Sequence, residues 1–106
     1  MREHLKDCRR IVVKVGTSTI TYPNGRLNLK RVEELAWVLT GLRNRGKDVI
    51  LVSSGAIGVG AVRMAMKTRP TAVREKQAAA AVGQAMLMQI YHNFFDRYNQ
   101  TVAQVL

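Results

Sequence analysis

The sequence is poor in the residues that would mark a secreted, membrane-bound or metal-held protein. Its 106 residues include one cysteine, Cys8, so no internal disulfide can form and a reducing compartment, the cytoplasm, is the expectation. No apolar run approaches the roughly 20 residues of a membrane span. The first ten residues hold no apolar segment of the kind a secretory signal needs. Cys8, His4 and His92 are too scattered to give metal-ligand spacing. Gly-x-Gly-x-x-Gly and Gly-x-x-x-x-Gly-Lys-Ser/Thr are both missing, which leaves a Rossmann dinucleotide site and a P-loop unsupported. Ser54 has no Gly-x-Ser-x-Gly elbow around it, so a serine-hydrolase triad is unsupported as well.

Acidic residues are also scarce. Seven Asp and Glu face 17 Lys and Arg, for a formal charge of +10, and such an excess invites a nucleic-acid reading. The cations, however, are spread from Arg2 to Arg97, and aromatics make up only 6% of the chain. No basic-aromatic platform for stacking bases results. A solvated basic surface, offset by acidic sequence in a part of the protein outside this chain, ranks above a nucleic-acid-binding module.

What is present reads as α/β. Residues 49–52, Val-Ile-Leu-Val, predict a strand buried on both faces. Residues 11–16, Ile-Val-Val-Lys-Val-Gly, predict an earlier strand broken only by Lys14. Between them Asn28 is a candidate helix N-cap, and Val32, Leu35, Ala36, Leu39 and Leu42 recur at helical spacing up to a stop at Gly46. Trp37 falls at the margin of that stripe. Strand, helix and strand over this length predict a parallel pair joined by a crossover. Asn24-Gly25 predicts a hairpin turn in the excursion after the first strand.

Beyond Gly55 a helix is expected over residues 56–66, then a break at Pro70 and a long helix over 73–98. Ala78, Ala81, Val82, Ala85, Met88 and Phe95 or Phe94 would form the packed face of the long helix. Residues 100–106 predict a third strand. A sheet of about three strands with few covering helices has open edges and apolar surface. Residues 1–106 are therefore expected to be the N-terminal part of a larger domain.

The chemistry is expected where the two strands end. Lys14, two residues before Gly16, places an ammonium that can reach the carboxyl edge of the sheet, beside Thr17 and Ser18. A compact cation there suits a phosphoryl group; the plainer alternative is an edge lysine whose stem packs while its head reaches water. Ser53, Ser54 and Gly55 end the second strand with hydroxyls and free backbone N–H groups. They can hold a carboxylate or phosphate, or simply cap a helix. Neighbouring parallel strands ending this way converge on one crevice. No carboxylate falls in these strand-end loops, so the segment offers no obvious general base and no metal cage.

Three stretches carry a resemblance: residues 11–18 (Ile-Val-Val-Lys-Val-Gly-Thr-Ser), 51–60 (Leu-Val-Ser-Ser-Gly-Ala-Ile-Gly-Val-Gly) and 76–84 (Lys-Gln-Ala-Ala-Ala-Ala-Val-Gly-Gln). Their order and separation resemble the N-terminal part of the amino acid kinase family, in the branch that phosphorylates the γ-carboxylate of L-glutamate. Acetylglutamate- and aspartate-type members usually show Lys-x-Gly-Gly where this chain has Lys14-Val-Gly-Thr17, and they rank lower. The resemblance implies an αβα sandwich of the carbamate kinase-like type with a mainly parallel sheet, and it implies ATP with Mg²⁺. It also implies that Lys14 contacts the transferring phosphate, that Gly16, Thr17 and Ser18 lie in the phosphate loop, and that Ser54, Gly55 and Ala56 bind glutamate. A homo-oligomer, a glutamyl phosphate reductase as partner and an inactive isolated 106-residue segment are further expectations from the same source.

Overall fold

The structure, a computed structural model, describes residues 7–66 and 71–105. Two strands, β1 (Arg10–Val15) and β2 (Asp48–Ser53), pair in parallel and in register from Arg10↔Asp48 to Val15↔Ser53. After β1 come a single helical turn, α1 (Thr17–Ile20), and the helix α2 (Leu29–Asn44) that returns the chain to β2. Beyond β2 lie α3 (Ala56–Arg63) and the long α4 (Val73–Arg97).

Local chemistry accounts for these boundaries. Asn28 caps α2 as expected, its side chain accepting from Arg31 N at 3.3 Å. Val32, Ala36 and Leu39 of the expected stripe are buried, with Leu35 and Leu42 packed against them. Trp37 lies outside the stripe and is 66% exposed, not packed at its margin. Gly46, at φ +83°, supplies the left-handed turn that stops the helix. Between β1 and α2, Thr21 and Leu27 bridge across the expected hairpin turn, and Gly25 alone takes a positive φ there. Ile20 and Val32 are fully buried beneath it.

The sheet shows one face to the helices and one to solvent. Val13, Val15, Val49 and Leu51 point into a core completed by Leu39, Leu87, Phe94 and Phe95. Ile50 and Val52 point the other way and remain 44% and 46% exposed. The expectation that β2 is buried on both faces is thus corrected: all the described helices that meet the core do so from one side. The expected third strand does not form among the described residues either. Residues 100–105 carry no strand pairing, and a cavity of about 500 Å³ lies between them and β2. Leu106 and Pro70 lie outside the described residues. α3 also ends at Arg63, short of the expected 66.

α4 packs through a different face than its alanines suggest. Of the expected face Phe94 and Phe95 are buried, but Ala78, Ala81 and Ala85 are exposed, and Ala79, Gly83, Leu87 and Tyr91 are buried instead. Glycine explains the shift. A Cβ on Gly83 would lie 1.7 Å from the carbonyl oxygen of Ala56, and one on Gly60 would lie 1.7 Å from that of Ala79. α3 and α4 therefore cross backbone to backbone, and this crossing decides which side of α4 faces inward.

Gly60→Ala or Gly83→Ala is expected to cost on the order of 3 kcal/mol, because the obstacle is backbone and the helices must separate. Gly41→Ala in α2, where a Cβ meets nothing within 4 Å, should be neutral or stabilising by up to about 1 kcal/mol. Thermal unfolding of the three variants checks the contrast.

Candidate active site

The in-register pairing brings both strands to an end at the same level. Past the last pair, Val15↔Ser53, the chains emerge side by side as Gly16-Thr17-Ser18 and Ser54-Gly55-Ala56. Ser54 N donates to Val15 O at 3.2 Å, extending the ladder by one bond, and Ser54 Oγ donates to the same carbonyl at 3.4 Å. Thr17 Oγ1 and Ser54 Oγ lie 3.3 Å apart, hydroxyl to hydroxyl. Gly55 then turns the chain at φ +103°. A Cβ there would sit 3.3 Å from Thr17 Cγ2, so both conformation and space call for glycine. Ala56 opens α3, and its carbonyl rests on Gly83.

Lys14 stands on the solvent face of β1, paired in register with Val52. Alternation puts Val12, Lys14, Ile50 and Val52 on this face, and the exposed Ser54 continues the β2 series. The desolvation that an ammonium would suffer inside a strand buried on both faces is thereby avoided. Among the described residues, neither ion pair involves Lys14; they join Arg43 to Asp48 and Arg97 to Glu33. Gly16 caps α1, and Ser18 is exposed on it. The sites inferred for the two strand ends thus lie together, with Thr17 touching Ser54. No contact joins Lys14 or Ser18 to that pair among the described hydrogen bonds.

The donor set is cationic and neutral: an ammonium, hydroxyls and backbone N–H groups. Such a set suits an anion. Among the described residues, no group of three or more His, Cys, Asp or Glu could hold a metal ion. No helix of the described residues is long and apolar enough to cross a membrane.

Sequence reasoning missed the support beneath this edge. Ser53 faces inward and shares a 2.8 Å hydrogen bond with the hydroxyl of Tyr91 on α4. Burial pushes the Tyr91 phenol above its ordinary pKa, and the bond to Ser53 opposes that shift. Gly60 and Gly83 were legible as small residues, but their role as a helix contact was not drawn from them. A glycine inside a helical pattern is the available signal for close approach.

Comparison with known proteins gives one answer. The model of the amino acid kinase family matches residues 9–106. A glutamate 5-kinase of Listeria innocua is 58% identical over 106 residues, covering 100% of this chain and 38% of that protein. The corresponding figures are 58%, 100% and 39% for a glutamate 5-kinase of Clostridium perfringens. For one of Enterococcus faecalis they are 56%, 100% and 39%. The chain thus spans less than two fifths of the length of these curated relatives.

Gly55→Ala is expected to destabilise by about 1–2 kcal/mol, since an L-residue is disfavoured at this φ and Thr17 must also give way. Urea unfolding is the measurement; an unchanged midpoint would show that the turn can be rebuilt without a left-handed residue.

Proposed function

This chain belongs to the amino acid kinase family, and on that premise we propose that the whole protein phosphorylates the γ-carboxylate of L-glutamate. A carboxylate oxygen attacks the γ-phosphorus of ATP, the bond to the β,γ-bridging oxygen breaks, and L-glutamyl 5-phosphate and ADP result. The observation that carries this reading is 56–58% identity, over all 106 residues, to proteins named glutamate 5-kinase.

The geometry supports the same chemistry. Phosphoryl transfer needs little covalent help from protein when the reactants are held in line and charge is neutralised. Lys14 supplies a positive charge at the strand edge for the transferring phosphoryl group. Gly16, Thr17 and Ser18 supply backbone and hydroxyl donors for the nucleotide phosphates. Ser54, with the backbone at Gly55 and Ala56, takes the glutamate carboxylate, one hydroxyl contact away from Thr17. Mg²⁺, the ion that accompanies ATP, would shield phosphate charge. The carboxylate-poor edge described above gives it no cage from this segment, so no residue is assigned to it. In this reading the enzyme works in the cytoplasm, opens a route to proline and assembles as a homo-oligomer. A glutamyl phosphate reductase would be the partner that consumes its labile acyl phosphate.

In the whole protein, Lys14→Ala should lower hydroxamate formation from glutamate, ATP and hydroxylamine by about 10²–10³-fold, with a much smaller change in glutamate binding. An active Lys14→Ala enzyme would remove the lysine from its assigned role. A substrate panel in which another carboxylate or a carbamate is preferred over glutamate would move the protein to a different branch of the family.

A further inference from the structure

We propose that Tyr91 is a positioning residue: from the core of α4 it fixes Ser53, and through Ser53 the strand-end loop that takes the substrate carboxylate. This deepens the functional reading above and rests on it for the identity of the carboxylate.

The inward row of β2 is Val49, Leu51 and Ser53, so a hydroxyl stands where the first two positions carry aliphatic side chains. Tyr91 is 6% exposed, packed with Leu87 and tilted against Phe95 at 6.5 Å between ring centroids. Its hydroxyl and the Ser53 hydroxyl are 2.8 Å apart. A buried pair of this kind is costly unless mutually satisfied, and two apolar groups of similar shape would serve the core about as well. What the pair adds is direction at a chosen place.

That place is the last residue of β2. Ser53 Oγ also donates to Ser54 O at 3.4 Å, which leaves its lone pairs to accept from the Tyr91 O–H. The series then runs from Tyr91 to Ser53, to the Ser54 backbone, and by the Ser54 hydroxyl to Thr17 and Val15 O. Eight residues before Tyr91 on the same buried face, Gly83 seats the Ala56 carbonyl. α4 therefore holds residues 53–56 at both ends. Tyr91 makes the polar contact and Gly83 the steric one. A phenylalanine would fill the same space without setting the Ser53 rotamer.

The test uses the whole protein as wild type, Tyr91→Phe, Ser53→Ala and the double variant. Amide hydrogen exchange without substrate is followed in the peptide covering residues 52–57 and in α2 as an internal reference. The expected result is faster exchange at 52–57 in both single variants, no further increase in the double, and no change in α2. In the hydroxamate assay the KM for glutamate should rise about five-fold, the worth of one neutral hydrogen bond. The KM for ATP should stay within about two-fold, and the double variant should match the singles, as expected for two groups acting through one contact. Unchanged exchange at 52–57, or additive effects of the two substitutions, overturns the positioning role. A wild type that makes no hydroxamate from glutamate ends the functional reading instead, and the exchange data still decide the role of Tyr91.

Discussion

The structure depends on one pairing: β1 and β2, parallel, in register, ending at the same level. Six backbone partners from Arg10↔Asp48 to Val15↔Ser53 remove any stagger between the strands. Because of that, the residues leaving β1 and those leaving β2 share an edge, and Thr17 and Ser54 come within 3.3 Å. A register slip of one residue would send Ser53 to the solvent face and Ser54 toward the core. It would also part Lys14 from the exposed side of the loop. Every chemical role assigned to this edge presupposes the register.

The described helices hold that edge from one side. α2, capped by Asn28 and stopped at Gly46, sets the spacing between the strands and covers their inner face. α3 starts at the edge itself and is pinned to α4 by paired glycines, so the loop before it inherits the rigidity of two helices in backbone contact. The other face of the sheet, with Val12, Ile50 and Val52 beside Lys14, is covered by no helix of the described residues. An ammonium on that face keeps its hydration, so Lys14 is spared the desolvation cost that a strand buried on both faces would impose.

Much of this was legible from residues alone, for local reasons. β-Branched runs marked both strands, an Asn and an apolar stripe marked α2, and strand–helix–strand spacing required the pair to be parallel. The failures at α4, at residues 100–105 and at Tyr91 share a cause: each depended on a partner distant in sequence. The buried phenylalanines of α4 are legible, but its alanines point to the wrong side, because the packed face is decided by where Gly60 and Gly83 let two backbones touch. Residues 100–106 have a strand's composition, but the described part makes no ladder with β2. At the site, the hydroxyl-glycine edge could be read because small polar residues at strand ends are unusual. Tyr91 could not, since a tyrosine on an apolar helix face looks like core until Ser53, 38 positions earlier, is found against it.

Membership of the amino acid kinase family and the edge geometry lead to one arrangement of reactants. A crystal structure of the whole protein with L-glutamate and a non-hydrolysable ATP analogue tests it most directly. The expected result is a γ-phosphate oxygen within about 3 Å of Lys14 Nζ and the glutamate carboxylate at Ser54 and the Gly55 amide, both on the solvent face of the sheet. Reactants bound on the helix-covered face, or at the opposite strand ends beside Arg10 and Asp48, would contradict it.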